Sequence, residues 1–313
     1  MPERTALTNQ VHSIVSRERF SDPLLYDIVF IRPARLVSHL LQTPQAVHYF
    51  LAIIHSAPHQ SELEIDPAGK KRYRYHELED IHDLRASDYT LVARTLDRVA
   101  RTVTWDVCTT TGYAEITSLP RDTSTGSFLS ARSKIDINVG FLLAFVQLDD
   151  FDQFLNLQFL LAVTMVHVIA HATLHALTEV PREHVFGESG SGEAGWELEA
   201  RLFGPCVSEE KKFSGELWWY ELGVGKDKHL QPTPVDRVKI GFVKRLFTDW
   251  FWSHRFDRQG PWKIIPSVAW PPVVYVPDSV AALIQAAMTQ VQRRRIAKVK
   301  SSSKKRKRND EDE

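Results

Sequence analysis

The 313-residue chain is 43% hydrophobic and 25% charged with a formal net charge of zero, values ordinary for a soluble globular protein with room for a sizeable core in one or two domains. The zero conceals an asymmetry: residues 293–308 carry ten Lys or Arg and residues 310–313 four acids, leaving residues 1–292 with 29 basic against 35 acidic side chains, a mildly acidic body that does not advertise nucleic-acid binding. Two cysteines, Cys108 and Cys206, show no CxxC spacing, which argues against a disulfide framework and suits a reducing compartment.

The opening MPERTALTNQVHSIVSRERF lacks the apolar run of a signal peptide, an expectation against secretion by that route. Residues 22–55 have helical spacing broken at Pro33 and Pro44, where proline ends or kinks a helix. The charged stretch 56–86 is expected as a surface loop or hinge, so residues 1–86 are predicted as a helical N-terminal region and loop. SDYTLVARTLDRVARTV at 87–103 predicts a helix capped at Ser87 or Asp88, with Leu91, Leu96 and Val99 on one side. TWDVCTTTGYAEITSL predicts one or two strands around a turn at Gly112. KIDINVGFLLAFVQL then predicts a short strand followed by a helix or a second apolar run.

Residues 152–178, DQFLNLQFLLAVTMVHVIAHATLHALT, contain no Asp, Glu, Lys or Arg after Asp152. A helix apolar all round its circumference is a buried central one, and it should stop near Thr178 because Pro181 cannot continue it. The segment is long enough to span a bilayer, but three histidines, Asn156 and Gln158 favour a core helix over a transmembrane segment. His167, His171 and His175 recur every fourth residue and so project from one face, one turn apart. Buried imidazoles need a hydrogen-bond partner or a metal, since leaving one without costs about a few kcal/mol.

Beyond it, GESGSGEAG at 187–195 predicts a glycine-rich loop, and Trp196 to Leu202 a short helix ending at Gly204 and Pro205. ELWWYELGVG predicts a strand and turn, 234–256 a long amphipathic helix, WKIIPSVAWPPVVYV a loop or edge strand, and DSVAALIQAAMTQVQRRRI a last helix running into a disordered tail over 293–313.

HVIAHA at 167–172, followed by GEAGWELEARLFG at 192–204, resembles the HExxHA motif and glutamate-bearing helix of gluzincin-type zincin metallopeptidases. It is similar in particular to a fungal family of HExxH-type proteins with a downstream GExGxxxExxxFG segment. The resemblance implies an α+β fold: a zincin-like domain over 87–292 whose long buried central helix packs against a small sheet, with an edge strand at Ile135 to Asn138. It also implies Zn²⁺ held by His167, His171 and Glu199, the last matched by its spacing from Gly195, with Glu193 as the alternative carboxylate. Two histidines at i and i+4 direct ring nitrogens at one Zn²⁺, and a carboxylate from a later helix leaves a fourth position open.

One departure changes the expected chemistry. The family's glutamate beside the first histidine handles the proton of metal-bound water, and Val168 stands there in this chain. General acid–base assistance is worth about 10² to 10⁴-fold in rate. The expectation is therefore a degenerate metallopeptidase-like protein that binds Zn²⁺ without efficient peptide hydrolysis, an intracellular or nuclear binding protein for an unknown protein or peptide. Two alternatives stay open: an active zinc metallohydrolase using a displaced base such as Glu193 or Glu188, and a metal-free scaffold whose histidines are satisfied core residues.

Other features read more plainly. His175 lacks the glycine turn that a third histidine ligand of the HxxxHxxGxxH type needs, so it is expected on the helix surface or in a core contact. GSGEAG at 190–195 matches a dinucleotide fingerprint but lacks the preceding buried strand, and Glu188 and Glu193 would repel a pyrophosphate. Trp218, Trp219, Tyr220, Trp250, Phe251 and Trp252 lack interleaved basic residues and are expected to pack. Lys304, Lys305, Arg306, Lys307 and Arg308 form a compact run that reads as a nuclear-localisation signal, the one place where nucleic acid is a plausible partner.

Overall fold

The computed structural model describes residues 7–56, 63–65, 71–75, 84–119, 132–178, 184–186, 193–204, 206–209, 212–224 and 230–256. α1 (Pro23–Leu25) is capped by Asp22, whose carboxylate accepts from the backbone N–H groups of Leu24 and Leu25 at 3.0 and 3.2 Å. The chain continues through a π-type segment, Tyr26–Phe30, into α2 (Ile31–Leu40). Pro33 falls in the first turn of α2, so the expected break takes the form of widened turns and not a stop. α3 (Pro44–Ser56) begins on Pro44 itself.

The stretch expected as a loop or hinge holds β1 (Leu63–Ile65) and β2 (Lys71–Tyr75), paired antiparallel, with β2 parallel to β6 (His184–Phe186). α4 (Ala86–Ala100) follows. Asp88 sits in its first turn and accepts from the backbone N–H of Arg85 at 2.8 Å, so the cap lies earlier than predicted. The buried stripe runs through Val92, Leu96 and Val99, whereas Leu91 is exposed.

β3 (Val103–Cys108) and β4 (Ala114–Leu119) flank the turn at Gly112 but do not pair with each other. β5 (Arg132–Asn138) lies between them, parallel to β3 and antiparallel to β4. The strand expected at an edge is thus the centre of its sheet. Its inward residues Ile135 and Ile137 are buried outright, while β4 is half exposed along its length and forms the edge. The β3 edge is covered instead: Ser21 donates its backbone N–H to the Trp105 carbonyl at 2.9 Å, and Phe20 stacks on Trp105.

α5 (Gly140–Gln147) leads into α6 (Phe151–Leu177), capped by Asp150 through the N–H groups of Asp152 and Gln153. α7 (Ala194–Phe203) ends at Gly204, whose φ of 91° is the left-handed conformation glycine tolerates. A three-stranded antiparallel sheet follows, β7 (Cys206–Glu209), β8 (Leu217–Val224) and β9 (Leu230–Arg237). Between β7 and β8 the buried Glu209 carboxylate accepts from the N–H groups of Phe213 and Gly215, both at 2.6 Å, and from the Tyr113 hydroxyl at 3.1 Å. Asn156 of α6 donates to the Gly215 carbonyl at 2.9 Å, fastening this turn to the start of the central helix.

The long helix predicted for 234–256 is corrected. β9 extends to Arg237 as an edge strand, the place for Pro232 and Pro234, which have no N–H to give. Helix begins only at α8 (Ile240–Leu246), and α9 (Asp249–Phe251) and a π-type segment, Trp252–Phe256, follow. The proline-rich stretch, last helix and tail expected after 256 lie outside the described residues.

The architecture is α+β, and α6 is its axis. α2, α3, α4, α5, α7 and α8, the strands β4 and β5, and β7 all pack against it. Leu157, Phe159, Leu161, Val166, Ile169 and Ala176 point in different directions round the helix and are all buried, each large one contributing about 1.5–3 kcal/mol. The helix is long and apolar enough to cross a membrane, yet 89% of its most apolar window lies inside the protein, as in a core helix. The N-terminal helices share this core, one cluster of described residues that takes in both Leu7 and Trp252.

Candidate metal centre

Period-four spacing places the histidines of α6 on one face, and α7 decides what each meets there. Leu198 and Leu202 bury completely, and Phe203 meets Phe159 of α6 edge to face at 5.7 Å, drawing α7 onto the helix. From the other side the buried Tyr49 of α3 donates its hydroxyl to the Ala194 carbonyl at 3.0 Å, holding the first turn of α7. Gly195 in that turn lies directly on the His167 ring: a Cβ there would stand 2.3 Å from the His167 Cγ. Only glycine allows the approach.

Glu193 is the N-cap of α7. Its Oε2 accepts from the Trp196 backbone N–H at 2.6 Å, which fixes the carboxylate where the positive end of the helix dipole favours it. Its Oε1 faces the His167 Nε2 at 3.4 Å and is hydrogen-bonded by the His171 Nε2. The two rings lie 5.2 Å apart, tilted by 49°. His167 Nε2, His171 Nε2 and Glu193 Oε1 thus turn toward a common point, with candidate donor atoms of the three residues within 4.8 Å of one another. Their side chains keep 23%, 22% and 18% of their surface, so the cluster is only partly buried.

Glu199 is elsewhere. Its Oε1 meets the His167 Nδ1 at 2.8 Å, and its Oε2 accepts from the Val207 backbone N–H at 3.1 Å. Glu199 was expected as the third ligand, but the carboxylate that converges with the histidines is Glu193, named in the sequence only as the alternative. The reason is geometric: Nδ1 and Nε2 are different edges of one ring, and an oxygen seated on Nδ1 does not also reach an ion held at Nε2.

The electrostatics favour a cation. Burial opposes the charged form of His167, but the Glu193 charge and the hydrogen bonds that Glu193 and Glu199 accept from the ring outweigh it and raise its pKa. Burial likewise pushes the Glu193 carboxyl up, and the charge of His167 with the hydrogen bonds from both imidazoles overcomes that and holds it well below the usual carboxylate range. Two acids around two rings favour positive charge here, which a protonated His167 or a bound cation would supply. Two imidazole nitrogens and a carboxylate oxygen are a donor set that zinc accepts; His167 Nε2 and Glu193 Oε1 already stand 3.4 Å apart, close to the roughly 3.3 Å between donors of a tetrahedral ion, whereas the direct contact of His171 Nε2 with Glu193 Oε1 would have to open to admit one.

The remaining candidates stand apart. His175, one turn beyond His171, has its pKa pulled down to about 4 by burial and then by the charge of His171. Val168 is buried in the core at 5% exposure. Cys206 is buried, with its thiol pushed up first by burial and then by the charges of Glu199, Glu193 and Glu197, so it stays a thiol. Trp252 is buried and donates its indole N–H to the Leu246 carbonyl at 2.8 Å, a packing role, and Phe251 meets it edge to face. Glu188 and Lys304 to Arg308 lie outside the described residues. Sequence reasoning missed the role of Gly195; its signal was a glycine inside an otherwise good helix, which marks a close approach. Compared with known proteins, the chain matches no family model, no curated protein and no solved structure.

Proposed function

We propose that this chain is a degenerate zincin-like protein that holds Zn²⁺ through His167, His171 and Glu193, hydrolyses peptides poorly or not at all, and acts by binding a protein or peptide, in the nucleus. The observation that carries the metal reading is the convergence of two Nε2 atoms and one carboxylate oxygen on partly buried side chains. Bound there, zinc supplies a Lewis-acidic position open to an outside donor.

What argues against hydrolysis is the residue at the position of the family's base. Val168 offers no proton acceptor. Among the described residues both carboxylates at the cluster are engaged, Glu193 between the imidazoles and the Trp196 N–H, Glu199 between His167 and the Val207 N–H. A Glu193 that binds the metal is not also free to take a proton, which leaves the displaced-base reading without its nearest candidate. The nuclear assignment rests on Lys304 to Arg308.

Elemental analysis of purified protein, paired with a peptide-library cleavage assay, tests the reading. One zinc per chain with no chelator-sensitive cleavage is expected. Robust turnover would establish an enzyme instead, and zinc far below one per chain, unchanged by His167→Ala, would leave a scaffold. A reporter fused to residues 293–313 should enter the nucleus, and a cytoplasmic reporter would remove that assignment.

A further inference from the structure

The geometry points to Glu199 as a positioning residue and not a ligand: α7 grips His167 on three sides and fixes its Nδ1–H tautomer so that Nε2 is presented to the metal. This rests on the zinc reading above. The grip comes from one short helix. Glu193 stands at Nε2 at 3.4 Å, the Cα of Gly195 lies against the ring face where a Cβ would reach within 2.3 Å of Cγ, and Glu199 takes Nδ1 at 2.8 Å.

A carboxylate only accepts hydrogen bonds, so the ring atom facing Glu199 must carry the proton. With one ring proton on Nδ1, the lone pair of a neutral imidazole sits on Nε2, the atom directed at Glu193 and His171. Glu199 is itself held, since its second oxygen accepts from the Val207 N–H at 3.1 Å and the residue is 4% exposed. That backbone contact ties the tautomer of His167 to the β7 strand. Glu193 meets both rings at their Nε2 atoms, whereas Glu199 meets His167 at Nδ1.

The consequence is a division between the two glutamates that sequence spacing would reverse. A carboxylate that orients a metal-bound histidine is worth about 10- to 100-fold in metal affinity, while the donor set at the metal stays the same. The measurement is zinc titration of the full chain and of Glu199→Gln and Glu193→Gln, with the visible spectrum of the cobalt(II) forms reporting which donors surround the ion. Glutamine at 199 keeps the shape but no longer offers acceptors to both His167 and Val207.

Glu199→Gln should bind one zinc about 10- to 100-fold more weakly with the wild-type cobalt spectrum, and its ring N–H proton signal at His167 Nδ1 should lose its protection from exchange. Glu193→Gln should lose more affinity and change the spectrum. Glu199→Asp, which keeps the charge, should recover part of the affinity and guards against a glutamine variant that folds poorly. A cobalt spectrum altered by Glu199→Gln and unaltered by Glu193→Gln would make Glu199 the ligand and overturn the inference, as would zinc affinity unchanged in Glu199→Gln. Failure of the wild type to take up zinc would instead overturn the metal reading itself.

Discussion

His167 and His175 stand two turns apart on one face of the same helix, and their surroundings drive them in opposite directions. At His167 the acids of α7 overcome burial and favour the charged ring; at His175 burial dominates and pulls the pKa down to about 4. The helix supplies the face, and the element laid across it supplies the chemistry. A ladder of identical side chains is therefore not a ladder of equivalent ones, and the functional part ends where α7 ends its reach.

The comparison breaks most sharply under mutation of its two halves. His171→Ala should abolish stoichiometric zinc binding, because two donors do not hold the ion against competition, whereas His175→Ala should leave the zinc content at one per chain. Equal loss in both, read by elemental analysis after dialysis, would show that the face and not α7 defines the site.

Val168→Glu, which restores the lettering of an HExxH motif, should cost about 3–5 kcal/mol in denaturant unfolding, because Val168 is buried in the hydrophobic core and an uncompensated charge there costs about that much. Gly195→Ala forces a methyl into the His167 ring, and overpacking of this kind costs about 1–3 kcal/mol; its zinc affinity should fall as well, since the ring must move. An alanine variant with native stability and native affinity would mean that α7 does not press on His167.

The smallest effect concerns a histidine with no acid grip. His39 stacks flat on Trp252 at 4.6 Å, with its Nε2 buried and unbonded among the described residues. Burial, only partly offset by Asp249, lowers its pKa from 6.5 to about 4. Because the folded pKa is depressed, the unfolded chain takes up the proton first: the contribution of His39 to stability is fully present above pH 6.5 and is lost as pH falls toward 4. His39→Phe keeps the stacking, removes the unbonded nitrogen and should flatten the acid limb of a stability profile in that window.

Much of this was legible from residue order. The central helix announced itself because it lacks a polar stripe, its end was marked by Thr178 and Pro181, and the histidine period of four fixed their common face. Glu199 was misplaced because spacing from Gly195 counts residues along α7 but does not say which edge of the His167 ring each will meet; Glu193 lies just outside that helix, where a side chain caps and points back. Leu91 and Val92 differ by one position, and only the tilt of α4 against its neighbours decides which one is buried. The strand at Leu230–Arg237 was hidden because amphipathic spacing downstream of Val238 was extended back across Pro234. The placement of β5 between β3 and β4 is a long-range pairing that no local pattern encodes.

The most direct test is anomalous diffraction at the zinc edge from crystals of the zinc-loaded chain. One peak bounded by His167 Nε2, His171 Nε2 and the Glu193 carboxylate, with Glu199 still on Nδ1, is the predicted result. A peak coordinated by Glu199, or no peak at this face of α6, would contradict it.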